Sequence, residues 1–257
     1  VNYNQKIGKV DFTLGVTGNI LSTEAIKRDE NYEDAYQSRI GKPLDGIWGL
    51  VSDGLYHCQE DIDRAPATSS FGEVKPGDIR YVDQNGDGVI DSKDEVYLGH
   101  AGWGGAPFSY GINITAKWKG WTLFLRGTGS TGTYGMKDSS YYWVYGDRKY
   151  SEEVVNRWTF ETARTATYPR LTTQSGTNNF RSSDFWLYKA NRFDLAKVQL
   201  TYDLPTRYLG HTWVRALKVY VSGDNLLTFS GERKLMEMNI GVTPQCRYFN
   251  LGAKIQF

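Results

Sequence analysis

Cysteine is nearly absent from this chain of 257 residues: Cys58 and Cys246 are the whole supply. They fit neither a zinc spacing nor a C-x-x-C redox pair, which excludes a zinc ribbon and a thioredoxin-like centre. One disulfide in an oxidising compartment or two unpaired thiols stay open. Histidine is as thin, with His57, His100 and His211 each alone in a connecting segment. No Ser or Cys sits in a nucleophile elbow, and the neighbouring carboxylates Glu152/Glu153 and Asp61/Asp63 read as solvated loop faces. The expectation is a protein that is not an enzyme. Neither sign of charge dominates: 30 Lys+Arg stand against 29 Asp+Glu, a net charge of +1. The basic excess of a nucleic-acid-binding domain is lacking. No apolar run approaches the ~18 residues of a membrane-spanning helix, and the mean hydropathy is -0.52. A β-barrel wall passes that filter, because only every second residue of its strands has to be apolar. Val1 opens no basic-then-apolar leader, so a mature chain or a fragment is expected.

What the chain does have is period-2 alternation. Its last ten residues put Phe249, Leu251, Ala253, Ile255 and Phe257 on one face and Tyr248, Asn250, Gly252, Lys254 and Gln256 on the other. Similar patterns place Leu217, Val219 and Val221 against Lys218, Tyr220 and Ser222, and Ala196, Val198, Leu200 and Tyr202 against Lys197, Gln199 and Thr201. Ile112, Ile114, Ala116 and Trp118 alternate with Gly111, Asn113, Thr115 and Lys117, while Trp121, Leu123 and Leu125 continue beyond them. Val10, Phe12, Leu14 and Val16 complete a set of about six strands, each about nine to eleven residues, the length a tilted membrane strand needs. All seven prolines fall in connections or at strand starts, where a missing N–H breaks no ladder. One short helix, within Ser151–Phe160 and carrying Val154, Val155 and Trp158 on one side, is expected inside a loop.

Connection lengths sort by side. The turn Lys119-Gly120 and the segment Pro205–Trp213 are short, whereas about 22–106, 130–190 and 228–246 are long. Short and long alternate, as in a barrel with tight turns on one side of a membrane and long extracellular loops on the other. A β-sandwich would share the alternation within strands but has no reason to sort its loops. Trp118 and Trp121 flank the short turn, as an aromatic girdle would. The terminal Phe257 also suits a barrel strand.

Several runs carry a family resemblance. Pro76-Gly77-Asp78-Ile79-Arg80-Tyr81 precedes Asp83-Gln84-Asn85-Gly86-Asp87-Gly88-Val89-Ile90-Asp91. Tyr168-Pro169-Arg170-Leu171, Ser183-Asp184-Phe185-Trp186-Leu187, Val198-Gln199-Leu200 with Tyr202-Asp203-Leu204-Pro205, and Val219–Phe229 follow in order. Together they resemble the C-terminal part of the barrel in the SusC/RagA family of TonB-dependent outer-membrane transporters. Lys189-Ala190-Asn191 departs from the family's acidic-glycine turn, and Asp224 stands where Gln is common. The resemblance implies an all-β fold over 1–257: an antiparallel transmembrane barrel segment, about six strands of a larger barrel of about 22. Six strands cannot close a bacterial barrel alone, whose minimum is about eight. Val1 is then expected to be interior to a longer polypeptide, with Phe257 on the periplasmic side. It further implies a multi-pass protein of a Gram-negative, Bacteroidetes-type outer membrane, importing glycan or peptide oligomers. Expected partners are membrane lipid, the remaining strands, a SusD-like surface lipoprotein, and the TonB complex through a plug domain missing from this chain. The alternative is a secreted calcium-dependent β-sandwich, an adhesin or lectin.

Three local patterns invite chemistry. Asp83, Asn85, Asp87, Asp91 and Asp94 place oxygen ligands at positions one, three, five, nine and twelve of a calcium loop, with Gly88 at the turn and the Val89 carbonyl at seven. One structural Ca²⁺ on the extracellular side is expected, and a bare double turn is the alternative. Gly127-Thr128-Gly129-Ser130-Thr131-Gly132 spells G-x-G-x-x-G but lacks the βαβ context, so it is rejected as a phosphate site. Tyr141, Tyr142, Trp143 and Tyr145, with Trp103, could stack on a glycan or grip a partner, or pack into the barrel mouth.

Overall fold

The computed structural model describes residues 1–148, 150–174, 177–210, 213–239 and 243–257. The chain divides into two compact units, one of 1–21, 105–133 and 190–257, the other of 22–104 and 134–189.

The first unit is one antiparallel sheet of seven strands: β1 (Asn2–Ile7), β2 (Val10–Ile20), β3 (Phe108–Trp118), β4 (Trp121–Thr131), β5 (Arg192–Leu204), β6 (Ala216–Phe229) and β7 (Tyr248–Gln256). Spatial order follows chain order, so β1 and β7 are the two edges and the sheet is open. The expected six strands are therefore seven. The alternation is poor in β1, where Gln5 shares the side of Tyr3 and Ile7 and pairs with Phe12. The extra strand extends the sorting of connections, since β1 and β2 join through Gly8 and Lys9 alone. At the β3–β4 turn, Lys119 (φ 47°) and Gly120 (φ 86°) both take left-handed backbone, as a type I′ hairpin requires.

Register carries one side-chain parity across the sheet. Leu14 faces Ile114, which faces Leu125; Leu125 faces Val198, Leu200 faces Val221, and Val221 faces Leu251. A one-residue slip anywhere would swap apolar for polar. Against β4 the extra residue Ala196 breaks step between Leu195 and Lys197, whereas against β6 the extra residue lies on β6 between Asp224 and Leu227; these β-bulges keep Leu195 and Phe193 on the apolar side beyond them.

The second unit has little regular structure. Its paired segments are short: Gly46–Gly49 with Val96–His100, Ser52–Leu55 with Ile79–Tyr81, Thr68–Ser69 with Val89–Ile90, and Tyr134–Met136 with Leu187–Lys189. The helix expected within Ser151–Phe160 is a 3₁₀ segment, Glu152–Asn156. Val154 is buried whereas Val155 is exposed, because a threefold turn cannot bring adjacent residues to one side.

Apolar packing of Leu50, Ile79, Tyr81, Phe180 and Trp186 surrounds a polar node. Asp78 is 2% exposed and lies 2.7 Å from Arg170 Nε, with Arg170 Nη2 donating to its other oxygen at 3.1 Å. Asn179, wholly buried, donates to Asp78 Oδ1 at 2.7 Å and accepts the Ile79 amide at 2.8 Å. Asn178 donates to the Ile79 carbonyl at 2.5 Å, and Trp186 Nε1 donates to the Asn179 carbonyl at 2.9 Å. At a second corner, Asp45 stands 3.0 Å from His100 Nδ1 and accepts the Gly102 amide at 2.7 Å. Burial pushes the Asp45 carboxyl up, but the His100 and Gly102 hydrogen bonds outweigh it and hold the group below its usual range.

Two outcomes follow from these buried groups. Asn179→Ala orphans the Ile79 amide and removes a donor from Asp78, at about 1–3 kcal/mol for each group left unpaired; urea unfolding followed by tryptophan fluorescence measures it, and a loss under about 0.5 kcal/mol would refute the node. Because the folded Asp45 value is depressed, its stabilisation is present above the unfolded value, near pH 4, and is lost as pH falls through the folded value. Hydrogen exchange around Gly102 is expected to accelerate on acidification over that window, and Asp45→Asn to flatten the dependence.

Candidate functional site

The strongest surface feature of the first unit is an apolar face open to the surroundings. Val16, Leu123, Leu200, Val219, Val221, Leu227 and Ile255 are all exposed there, and Leu251 reaches 81%. Patches of this extent on a folded chain mark a membrane or protein contact. Aromatic rows close both ends of it. At the end from which 21–107 and 132–191 depart, Phe108 stacks on Tyr110, Tyr110 on Phe193, and Phe193 lies 6.2 Å from Phe229. At the other end Trp121 meets Tyr202 at 4.5 Å, Trp118 lies across the turn, and Trp213 stacks on Phe257 at 4.4 Å. Tyr110 and Trp118 are eight positions apart in β3, about 27 Å along a strand and roughly 20 Å across a membrane at the usual tilt, near the apolar band of a barrel.

The glycines of the rejected G-x-G-x-x-G run serve this face. A side chain at Gly127 would collide with the Phe193 ring, and one at Gly129 with the Tyr110 ring. Glycine lets the aromatic row lie flat against the strands.

The opposite face is polar and largely ion-paired: Arg192 with Asp194 at 2.7 Å, Lys197 with Asp224 at 3.5 Å, and Lys218 with Asp203 at 2.8 Å. Lys254, exposed, lies across from Lys218.

In the second unit, the Asp83–Asp94 segment folds into a tight loop closed by its own side chains. Asp83 accepts the amides of Gly86 (2.7 Å) and Gly88 (2.8 Å), Asp87 accepts that of Val89, and Asp91 that of Lys93. Asp94, fully buried, accepts the amides of Gln84 and Asp91, both at 2.8 Å. The Val89 amide and Asn85 hold the Asp87 carboxyl low. Burial, with the Asp34, Asp94 and Asp83 carboxylates, pushes the Tyr36 phenol up to about 12. Among the described residues no three His, Cys, Asp or Glu side chains stand close enough to hold one ion. As they stand, these groups satisfy backbone amides.

The aromatic run divides. Tyr142 and Val144 are buried, Trp143 lies 6.0 Å from Phe180 and 6.3 Å from Trp186, and Tyr145 lies 5.1 Å from Phe180. The Tyr168 hydroxyl donates to the Tyr142 carbonyl at 2.6 Å. Tyr142 is thus core, Tyr141, Trp143 and Tyr145 are half-buried, and Trp103 is exposed at 76%. Cys58 and Cys246 are free and exposed. His57 Nδ1 meets the Ala163 carbonyl at 2.6 Å, and His211 lies outside the described residues. Sequence reasoning missed Asn178 and Asn179 entirely; two adjacent amides in a loop carry no local pattern. It also missed the upper aromatic row, whose signal was glycine facing an aromatic on the next strand.

No family model matches the chain. It is 28% identical over 199 residues to TonB-dependent receptor P26 of Formosa agariphila, covering 76% of this chain and 19% of that protein. TonB-dependent receptor P3 of the same organism is 24% identical over 236 residues, 85% of this chain and 23% of that one. The chain thus spans about a fifth to a quarter of these relatives. Its fold matches the RagAB peptide importer in the open-open state with a TM-score of 0.65 at 17% identity, over 89% of this chain and 24% of the other. The closed-closed state gives 0.62 at 18% identity. The sequence relatives are TonB-dependent receptors, and the fold neighbours are RagAB peptide importer structures; the chain is similar to a portion of each.

Proposed function

We propose that the chain forms part of the wall of an outer-membrane, TonB-dependent importer of oligomeric nutrients. The observation that carries this reading is the exposed apolar face, bounded at both ends by aromatic rows and backed by a charged face of opposite parity. In lipid every backbone group has to pair within protein, so the open edges of β1 and β7 call for further strands, in a closed barrel of about 22. The apolar face then meets membrane lipid, the polar face lines the lumen, and the long loops about 22–106, 130–190 and 228–246 are extracellular. A plug supplied by another part of the polypeptide would couple transport to the TonB complex. A SusD-like surface lipoprotein would deliver cargo, and glycan and peptide oligomers both suit a wide polar lumen. The secreted β-sandwich reading needs a second sheet over the apolar face, and the described strands of the first unit supply only one.

The Asp83–Asp94 loop is proposed as a secondary, structural Ca²⁺ site. Asp83, Asn85, Asp87, the Val89 carbonyl, Asp91 and Asp94 would hold the ion once the carboxylates draw together from their present separation. Its support is the order of oxygen ligands and the concentration of negative charge around Tyr36.

In the full-length transporter, Leu251→Arg with Ile255→Arg is expected to block barrel assembly, at about 2–4 kcal/mol per residue near the midplane. Lys254→Ala is expected to assemble and import normally. Heat-modifiable gel mobility and radiolabelled-nutrient uptake read the two; normal assembly of the double arginine variant would sink the importer reading. For the loop, millimolar calcium is expected to raise the Tm of the transporter and magnesium to leave it in place, because extracellular sites bind at about 10⁻⁴–10⁻³ M. An equal Tm with calcium and with chelator would refute the ion.

A further inference from the structure

The polar face holds a groove of about 410 Å³ whose sides include Thr17, Asn19, Asn113, Arg126, Thr128 and Ser130. Gly111 gives it depth, since a Cβ there would stand 2.8 Å from Thr17 Oγ1. Every other cation lining it or flanking Arg126 on β5 has an anionic partner: Arg192 is held at two points by Asp194, and Lys197 reaches Asp224. Arg126 is exposed, and its side chain makes no hydrogen bond or ion pair among the described residues. Its cross-strand neighbours are Asn113 on one side and Lys197 on the other. Like charges directly opposed in a sheet are destabilising. The arrangement sets a free guanidinium beside a second cation, in a groove lined otherwise mainly by hydroxyls, amides and the Arg192–Asp194 pair, whose carboxylate is already held by Arg192 at two points.

We propose that this groove is a subsite for a carboxylate carried by a hydrophilic oligomer, a deepening that rests on the importer reading above. The guanidinium presents a planar fork that matches both oxygens of a carboxylate, which a lysine cannot do. The bound negative charge relieves the repulsion between Arg126 and Lys197. Thr17, Asn113 and Thr128 flank the fork with groups that donate to or accept from neighbouring hydroxyls or amides of the same chain. Pairing of Arg192 and Lys197 with their own aspartates leaves one free guanidinium, so the subsite discriminates carboxylate-bearing units from neutral ones and does not act as a general basic surface.

The test uses the full-length transporter in detergent and calorimetric titration with four probes: tetragalacturonate, tetraglutamate, maltotetraose and tetraalanine. Acidic probes are expected to bind more tightly than the neutral probe of the same backbone, and Arg126→Gln to weaken the acidic ones by about tenfold or more while leaving neutral affinities unchanged. Arg126→Lys is expected to recover part of the loss. Tight binding of tetragalacturonate alone assigns the carboxylate to a sugar acid, and of tetraglutamate alone to a peptide; either supports the subsite. Unchanged acidic affinities in Arg126→Gln overturn it. So does a fall in the ligand-free Tm of Arg126→Gln with no change in discrimination, which would make Arg126 a counter-ion to another part of the barrel. Failure of every acidic probe to bind the wild type also overturns it, yet leaves the importer reading standing, because that reading is judged by assembly and uptake.

Discussion

The second unit depends on one carboxylate. Asp78 is removed from water, and an unpaired charge there would cost several kcal/mol. Its balance comes from Arg170, its orientation from Asn179, and its enclosure from Lys75, whose amide donates to Asp78 Oδ2 at 2.8 Å. Arg170 and Asn179 lie about 90 to 100 residues from Asp78 in the chain. The runs Pro76–Tyr81, Tyr168–Leu171 and Ser183–Leu187, which look unrelated in sequence, meet around this node. Gly77 belongs to the same arrangement: its φ of 89° suits glycine, and a Cβ would stand 2.6 Å from the Trp158 ring. A structure with so little regular pairing has to be fixed by such specific contacts, because it lacks the repeated ladder bonds that stabilise a sheet.

The first unit is held by a different constraint. Its register is the same decision made six times, and each strand pairing repeats the assignment of apolar residues to one face. Ala196 shows how strictly the constraint applies, since one inserted residue is absorbed as a bulge and parity is recovered within two positions. The ion pairs on the polar face are modest contributors by comparison, being partly exposed. They set charge balance more than stability.

Legibility in the sequence followed the range of the interactions concerned. Strand parity is local and period 2, so β2 through β7 could be read directly, with their short turns and their sorted loops. The first strand escaped because Gln5 sits among its apolar residues and no local rule outweighs that. In the second unit, local reading leaves two fates open for an aromatic or a carboxylate. Tyr142 and Trp143 read equally as a presented surface or as packed residues; the structure buries Tyr142 and half-buries Trp143 against Phe180, Tyr168 and Trp186, some 25 to 45 residues later. The oxygen ligands from Asp83 to Asp94 were placed correctly as a tight loop, whereas the use of those oxygens depends on backbone amides that a ligand pattern does not reveal. Asn178 and Asn179 gave no signal at all.

The β3–β4 hairpin interrupts the second unit's sequence, and this has a kinetic consequence. Ile79 and Asn179 are joined across 100 residues, and Tyr81 and Asn178 across 97. Contacts of that separation are slow to form, because loop-closure entropy is lost before any of them rewards it. The hairpin itself closes through a two-residue turn and needs only its own 24 residues, Phe108–Thr131, so it is ready within microseconds of being released. The chain therefore carries a fast element embedded in a slow one. Until Arg170 and Asn179 arrive, Asp78 and the aromatic residues around it are exposed to water and to one another, an interval in which the chain is open to aggregation.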